Sequence, residues 1–295
     1  MHTPAASTQA SRPFPGTLQH FDPLIMAPSR RFFVLGNWKM NVNASRIESL
    51  SRLLSEAKLD RETEFVVGCP SCYLSSVRQL LPSHVGLAAQ NCYKVARGNF
   101  SGELSPGMVQ ECGADWVILG HPERRTVFGE TDYLIAEKVT HALNAGSKVV
   151  ACVVERTEDR LHGLTEEALA TQMEALASAV TDWSRVVLAF KALWASGTGV
   201  LATPGQVQEV LSLLRRWLRL NVGVKVAENT RIIYSGSVSA ANCQELARLP
   251  DVDGFLVGSA ALKPDLIHIV NAHHPRPARL FLPYTVPPRP TYGRA

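Results

Sequence analysis

The sequence contains no long hydrophobic run. None of its apolar stretches approaches the roughly 20 consecutive residues that a helix needs to span a bilayer. This absence excludes a membrane-spanning function. It predicts a soluble protein that has no membrane partner.

The sequence also lacks the cysteine pattern of a disulfide framework. Its six cysteines are scattered through 295 residues, and no secretory signal opens the sequence. Small secreted domains depend on dense, regularly spaced cysteines, whereas a reducing compartment keeps isolated thiols free. We therefore expect a cytoplasmic protein.

Acidic residues are missing from the last 21 residues, and this absence explains the net charge. The formal charge is +4, and four arginines lie in that segment, at positions 276, 279, 289 and 294. Without them, 26 basic residues remain against 26 acidic ones. A balanced remainder does not indicate a polyanion-binding surface, so we expect no nucleic-acid partner.

Both ends of the chain differ in composition from the middle. Residues 1–25 are rich in Ser, Thr, Ala and Pro without periodicity, and residues 275–295 are rich in Pro and Arg. Neither segment can bury enough apolar surface to offset the entropy lost on ordering. We predict a single domain over residues 26–274 between disordered extensions at 1–25 and 275–295.

Between these extensions, short apolar runs alternate with helical periodicities. The run FFVLGN at 32–37 precedes the amphipathic segment ASRIESLSRLLSEAKL, and seven further units follow. Their apolar runs are FVVGCP, VGLAAQN, WVILGH, KVVACVVE, VVLAFK, RIIYSG and GFLVGS. Runs without strict alternation are typical of parallel strands covered on both faces. Eight units predict an α/β fold with a closed (β/α)8 barrel, and an open doubly wound sheet is the alternative.

Helix boundaries carry their own signals in this sequence. Ser45 and Glu48 have the spacing of a capping box, which predicts a helix start there. Ser105 and Thr203 each precede a proline, in the order of an N-cap and a first helical residue. Glycines at positions 113 and 146 stand where two helices should end.

Polar residues and glycines stand where the predicted strands end. They are Asn37, Lys39, Gln90, Asn91, His121, Glu123, Glu155, Lys191, Ser237, Gly258 and Ser259. Ligands of such barrels bind beyond the carboxyl ends of the strands, so we expect these residues to surround one site. Glycine-containing turns after the last three strands can point backbone N–H groups at an anion. Together these features favour a small phosphorylated ligand.

Longer motifs resemble those of the triosephosphate isomerase family. They are GNWKMN (36–41), AAQNCYKV (88–95), GADWVILGHPERRTVFGET (113–131), WASGTG (194–199), RIIYSGSV (231–238) and DVDGFLVGSAALKP (251–264). The resemblance runs from Met26 to about Asn271. It implies a TIM barrel and a cytoplasmic homodimer that needs no cofactor or metal. It also implies the family reaction, dihydroxyacetone phosphate to D-glyceraldehyde 3-phosphate, in glycolysis and gluconeogenesis.

The resemblance implies a role for each matching residue. Lys39 neutralises the substrate phosphate and the developing enediolate, and Asn37 orients the substrate and braces that lysine. His121 is a neutral electrophile, and Glu123 pairs with Lys39 and positions it. The implied phosphate-binding residues are Gly197, Ser237, Gly258 and Ser259.

Lys191 departs from the family, whose proton-abstracting glutamate stands at this position. The family's AYEPVW has become AFKALW at 189–194. A carboxylate with an ordinary pKa near ~4.3 is ionised at neutral pH, whereas a lysine near ~10.4 is protonated and cannot accept a proton. We therefore predict a degenerate active site with severely impaired turnover.

Further departures surround this position. Pro122 replaces a serine, Val154 replaces a glycine, and Ala192 replaces a hinge proline. Serines at positions 235 and 259 replace glycines, and we expect the Cβ of the second to crowd the anion-binding amides.

Three other readings of the sequence stay open. The first is a working isomerase that uses Lys191 in its neutral form, or a water activated by Glu123. The second is a non-catalytic partner that forms mixed dimers with an active isomerase. The third is a sugar-phosphate binder without turnover.

Overall fold

The computed structural model describes residues 30–195 and 201–272. The two extensions that we predict to be disordered, 1–25 and 275–295, lie outside the described residues, as does Gly197. The described residues all belong to one compact unit, Pro28–Pro277.

Eight parallel strands form a closed barrel in chain order. They are β1 (Phe33–Asn37), β2 (Glu64–Cys69), β3 (Gly86–Ala89), β4 (Trp116–Leu119), β5 (Lys148–Glu155), β6 (Val186–Ala192), β7 (Arg231–Tyr234) and β8 (Gly254–Val257). Each strand corresponds to one of the apolar runs in the sequence. The closed barrel is confirmed, and the open doubly wound alternative is wrong.

Closure brings the last strand against the first. Phe33 lies opposite Glu64 of β2 on one side and Gly254 of β8 on the other. A Cβ at Gly254 would lie 1.8 Å from the carbonyl oxygen of Phe33, and the residue has φ of 146°. Only glycine allows β8 this close to β1, because any side chain would collide with backbone.

Two apolar layers hold the barrel. The inner layer fills its lumen with alternate strand residues, namely Phe33, Leu35, Val66, Ala88, Trp116, Ile118, Val150, Cys152, Val187, Ala189, Ile233 and Leu256. The outer layer packs the opposite strand faces against the surrounding helices. Strands that bury both faces need apolar residues throughout, which is why the sequence shows runs instead of alternation.

Eleven α-helices lie in the described part of the chain. They are α1 (Ala44–Glu56), α2 (Leu74–Leu80), α3 (Pro106–Glu111), α4 (Pro122–Thr126), α5 (Asp132–Asn144), α6 (Thr157–Leu161), α7 (Thr165–Ala179), α8 (Pro204–Asn221), α9 (Val224–Asn229), α10 (Cys243–Ala247) and α11 (Asp265–Val270). No helix in these described ranges has the length and apolar character that crossing a membrane requires.

Most of the predicted helix signals are confirmed, and one is wrong. Ser105 caps α3 and Thr203 caps α8, each accepting a hydrogen bond from a backbone N–H of the first turn. The predicted capping box at Ser45 does not form, because α1 begins at Ala44, two residues earlier than a cap at Ser45 would place its start. Asn43 is its N-cap, and the Asn43 side chain accepts from the Arg46 N–H at 2.9 Å.

Candidate active site

The carboxyl end of β1 carries a buried amide that organises the loop after it. Asn37 continues the inward-facing series of Phe33 and Leu35, and its side chain is buried. Its Oδ1 accepts hydrogen bonds from the Lys39 N–H and from Gln90 Nε2, both at 3.0 Å. Gln90 also donates to the Lys39 carbonyl at 3.1 Å. The backbone of Lys39 is therefore held on both sides.

This hold maintains an uncommon backbone conformation. Lys39 has φ of 50°, and no other non-glycine residue in the described ranges has a positive φ. Such a conformation is unfavourable for a side chain with a Cβ and persists where surrounding bonds enforce it. It directs the Lys39 ammonium to the carboxylate of Glu123, with which it forms an ion pair.

His121 and Glu123 stand at the start of the short helix that follows β4. His121 is the buried N-cap position of α4, and Pro122 occupies the first helical turn. The His121 Nδ1 contacts the second carboxylate oxygen of Glu123. Glu123 therefore joins the imidazole to the ammonium of Lys39.

Burial lowers the pKa of His121 below its ordinary value, and the charges of Lys39 and Lys191 act in the same direction. The Glu123 carboxylate opposes them without reversing the result. The imidazole is thus neutral at pH 7. Since an ionised Glu123 can only accept a hydrogen bond, the ring proton lies on Nδ1, and Nε2 is left as an acceptor.

Burial by itself would raise the pKa of Glu123, but its hydrogen bonds with His121 and Lys39 and their charges outweigh this effect. The pKa of Glu123 is consequently well below its ordinary value. The group is a carboxylate throughout the neutral range, so it balances one of the two lysine charges of the site.

Lys191 lies on the inner face of β6, near the carboxyl end of the strand. Alternation places it in line with Val187 and Ala189, which face the lumen, and it pairs with Val154 of β5. Its side chain is half-buried. Within the described residues it makes no hydrogen bond or ion pair, unlike Lys39.

Burial lowers the pKa of Lys191 to about 8, and the charge of Lys39 contributes in the same direction. Glu123 and Cys152 oppose the shift, the latter from the lumen layer of β5. At neutral pH the site therefore holds two ammonium groups, one carboxylate and a neutral imidazole. This balance suits an anionic ligand.

A protein-family model described as triosephosphate isomerase matches residues 32–273. The chain belongs to the triosephosphate isomerase family. The match covers all eight strands, so the resemblance expected from the sequence is confirmed, and so is the TIM barrel fold. Membership in the triosephosphate isomerase family supports an isomerase-like function for this barrel.

The phosphate-binding residues that the triosephosphate isomerase resemblance implies are only partly within the described ranges. Gly197 lies outside them. Ser237 and Ser259 are exposed after β7 and β8, and Ser237 Oγ donates to the Ala195 carbonyl at 3.4 Å. A Cβ at Gly258 would lie 3.7 Å from Lys39 Cε, so this glycine stands beside the lysine. The last strands thus meet Lys39 at one end of the barrel.

Two features of the site had no specific signal in the sequence. Gln90 was expected at a strand end, but its bonds to Asn37 and Lys39 were not predicted. Cys152 has no predicted role, yet it lies in the lumen layer and is one of the groups that affect the pKa of Lys191. A hydrogen bond between residues 53 positions apart leaves no local pattern to read.

A cavity of about 620 Å³ opens beside Lys39, His121 and Glu123. Its lining includes apolar side chains that face solvent, since Met40 is 92% exposed and Phe128 is 63% exposed. Exposed apolar side chains gathered around one cavity are typical of a surface that a partner covers.

Proposed function

We propose that this protein binds triose phosphates in the manner of its family but isomerises them at a severely reduced rate. The reaction concerned is dihydroxyacetone phosphate to D-glyceraldehyde 3-phosphate, in cytoplasmic glycolysis and gluconeogenesis. One observation carries the proposal. Lys191 occupies the inward-facing position near the end of β6 where the family has its general base.

The charge of Lys191 supports impaired proton abstraction. With a pKa of about 8, the amine is protonated in about nine molecules of ten at pH 7. A bound phosphate dianion would favour the ammonium further and reduce the neutral fraction. An ammonium group cannot accept the substrate proton, so the site has no general base at position 191 in most molecules at pH 7.

The binding half of the site supports retained affinity for the substrate. Lys39 is held in place by Asn37, Gln90 and Glu123. A second cation at position 191 adds attraction for a phosphate group. Loss of turnover with retained binding is therefore the expected phenotype, in contrast to loss of both.

A working isomerase with Lys191 as the base is the second candidate function. The lowered pKa favours it, because about one tenth of the amine is neutral at pH 7 and half is neutral near pH 8. This candidate predicts a rate that rises with pH as Lys191 loses its proton. A protein with impaired turnover should instead show a low isomerisation rate at every pH in this range.

Homodimer formation is part of the proposal. Met40, Val127 and Phe128 leave a large apolar area exposed around the cavity beside the site. We propose that a second copy, or a subunit of an active isomerase in a mixed dimer, covers these side chains. Sedimentation velocity at micromolar concentration measures this association, and a monomer under those conditions would contradict it.

The direct test restores the carboxylate. Lys191→Glu should raise kcat by about 10²–10⁴-fold, the range that a positioned general base contributes. Lys191→Gln is the matched control, since it removes the cation without supplying a base, and it should not recover the rate. Both variants and the unsubstituted chain are assayed with dihydroxyacetone phosphate across pH 6–9.

The outcome separates the two candidates. An unsubstituted chain whose kcat lies within about tenfold of Lys191→Glu would contradict impairment, because less than ~1.4 kcal/mol would separate the barriers. A rate that climbs with pH in the unsubstituted chain, and is lost in Lys191→Gln, would favour the neutral lysine base.

A further inference from the structure

Lys191 differs in its surroundings from the other buried or site lysines. Lys39 pairs with Glu123, and Lys138 pairs with Glu130 at 2.5 Å. In the described ranges no carboxylate contacts the Lys191 amine. A carboxylate partner holds a lysine as the ammonium, so its absence at Lys191 leaves the amine able to release its proton.

Position and neighbours add to this effect. The amine projects from the inner face of β6 above the apolar lumen layer, on the side of the barrel that holds His121 and Lys39. Desolvation and a nearby second cation are the two conditions that activate a lysine as a nucleophile. Both are met here, and together they lower its pKa to about 8.

We propose that Lys191 is a nucleophile that forms an imine with the carbonyl carbon of a small ketone or aldehyde bound at the carboxyl ends of the barrel strands. The assignment of a phosphorylated triose as the natural carbonyl compound rests on the proposed function. The nucleophilic amine itself rests on the geometry of β6. This activity is distinct from isomerisation, which needs a base at position 191.

The reaction balances without a co-reactant. The lone pair of the neutral Lys191 amine forms a bond to the carbonyl carbon, and one amine proton moves to the carbonyl oxygen to give a carbinolamine. The carbon–oxygen bond then breaks, the second amine proton joins the departing hydroxyl, and one water leaves. His121 stands on the same side of the barrel with Nε2 unprotonated, which suits it to relay these protons.

Two probes test the proposal on the full-length protein. The first probe is dihydroxyacetone phosphate, whose imine with an amine is reduced to a stable secondary amine by sodium cyanoborohydride. The second is acetylacetone, which forms a stable enaminone with a neutral amine and needs no phosphate site. Peptide mass spectrometry locates each adduct. Lys58, an exposed lysine on the outside of the barrel, is the internal reference.

We expect both adducts at Lys191, formed at least about tenfold faster than at Lys58 at pH 7, because a pKa of about 8 leaves far more neutral amine than the ordinary ~10.4. The rate should rise between pH 7 and 9. The groups facing the amine over this range are the cation of Lys39, the carboxylate of Glu123 and the neutral His121 and Cys152.

Variants provide the controls. Lys191→Arg keeps the positive charge but cannot form an imine, and it should abolish both adducts. Lys58→Arg should leave them unchanged. Circular dichroism melting establishes that each variant is folded, so that loss of labelling in Lys191→Arg reports chemistry and not unfolding.

Calorimetry with glycerol 3-phosphate, which has no carbonyl, separates this proposal from the proposed function. If glycerol 3-phosphate binds and neither probe labels Lys191 above Lys58, the imine proposal is overturned while triose-phosphate binding stands. If acetylacetone labels Lys191 but neither phosphate compound binds, the nucleophilic amine is supported and triose-phosphate binding is contradicted. Adducts from both probes together with binding support both.

Discussion

At position 191, the effect of one side chain depends on where the barrel holds it. On an exposed helix, a lysine in place of a glutamate changes the surface charge and little else. On the inner face of β6, the same lysine lies half-buried near Lys39 and His121, so its charge acts on the site. It helps to keep His121 neutral, and it is itself driven toward the neutral amine.

The lowered pKa of Lys191 has a cost in stability that depends on pH. Its pKa falls from the ordinary 10.5 in the unfolded chain to about 8 in the folded protein. The unfolded state therefore binds the proton more tightly, and the cost is fully present below pH 8. It decreases as pH rises from 8 toward 10.5.

Lys191→Met should therefore stabilise the protein at pH 7, by about 1–3 kcal/mol once the partial exposure of the side chain is allowed for. The gain should shrink when the measurement is repeated at pH 9. Urea unfolding at the two pH values gives the difference, and Lys58→Met controls for the loss of a lysine. A gain that is equal at both pH values would contradict burial as its cause.

At the scale of single elements, the N-cap residue decides where a helix begins. The helix α1 starts at Ala44 with Asn43 as its cap, although Ser45 and Glu48 have the spacing of a capping box. Both Asn43 and Ser45 belong to the residue types that cap helices. Asn43 has the extended backbone of an N-cap residue, with φ of −130° and ψ of 176°, whereas Ser45 already lies inside the helix.

Asn43→Ala should destabilise the protein by about 0.5–2 kcal/mol, because the Arg46 N–H loses its acceptor. Ser45→Ala removes a similar side chain two residues later and should change stability by less than about 0.5 kcal/mol. Thermal unfolding of the two variants compares them directly. Equal losses would contradict the position of the cap.

At the scale of the whole molecule, a buried charge network ties the last strands to the first. The Asp253 carboxylate accepts from Arg30 Nε at 2.8 Å, from Arg215 Nη2 at 2.6 Å and from the Ile232 N–H at 2.8 Å. Arg215 also bonds Asp251 at 2.8 Å. These bonds join α8, β7 and the segments before β1 and β8, where the barrel closes.

Asp253→Asn should cost about 1.5–3 kcal/mol, because it removes a negative charge that Arg30 and the buried Arg215 share while keeping the side-chain volume, and Arg215 retains its bond to Asp251. Urea unfolding at pH 7 measures the loss. The matched control is Asp115→Asn, an exposed aspartate on another loop, which should change stability by less than about 0.5 kcal/mol. A loss as small as that of the control would show that the network is not needed for closure.

Much of the fold could be read from near neighbours in the sequence. Apolar runs bounded by polar strand ends predicted all eight strands, and a cap residue before a proline located the starts of α3 and α8. The site residues Asn37, Lys39, His121 and Lys191 could be named because strand ends converge in a parallel barrel. The start of α1 could not, because two suitable caps compete locally.

The sequence by itself therefore determined the barrel and the family and predicted that Lys191 replaces the family's glutamate, since each depends on residue order alone. Only the tertiary structure decided the state of that lysine. Its pKa depends on desolvation and on Lys39 and Glu123, which lie 152 and 68 positions away along the chain and approach it only when the barrel closes. Electrostatic energy depends on distance in space, and sequence spacing does not encode that distance.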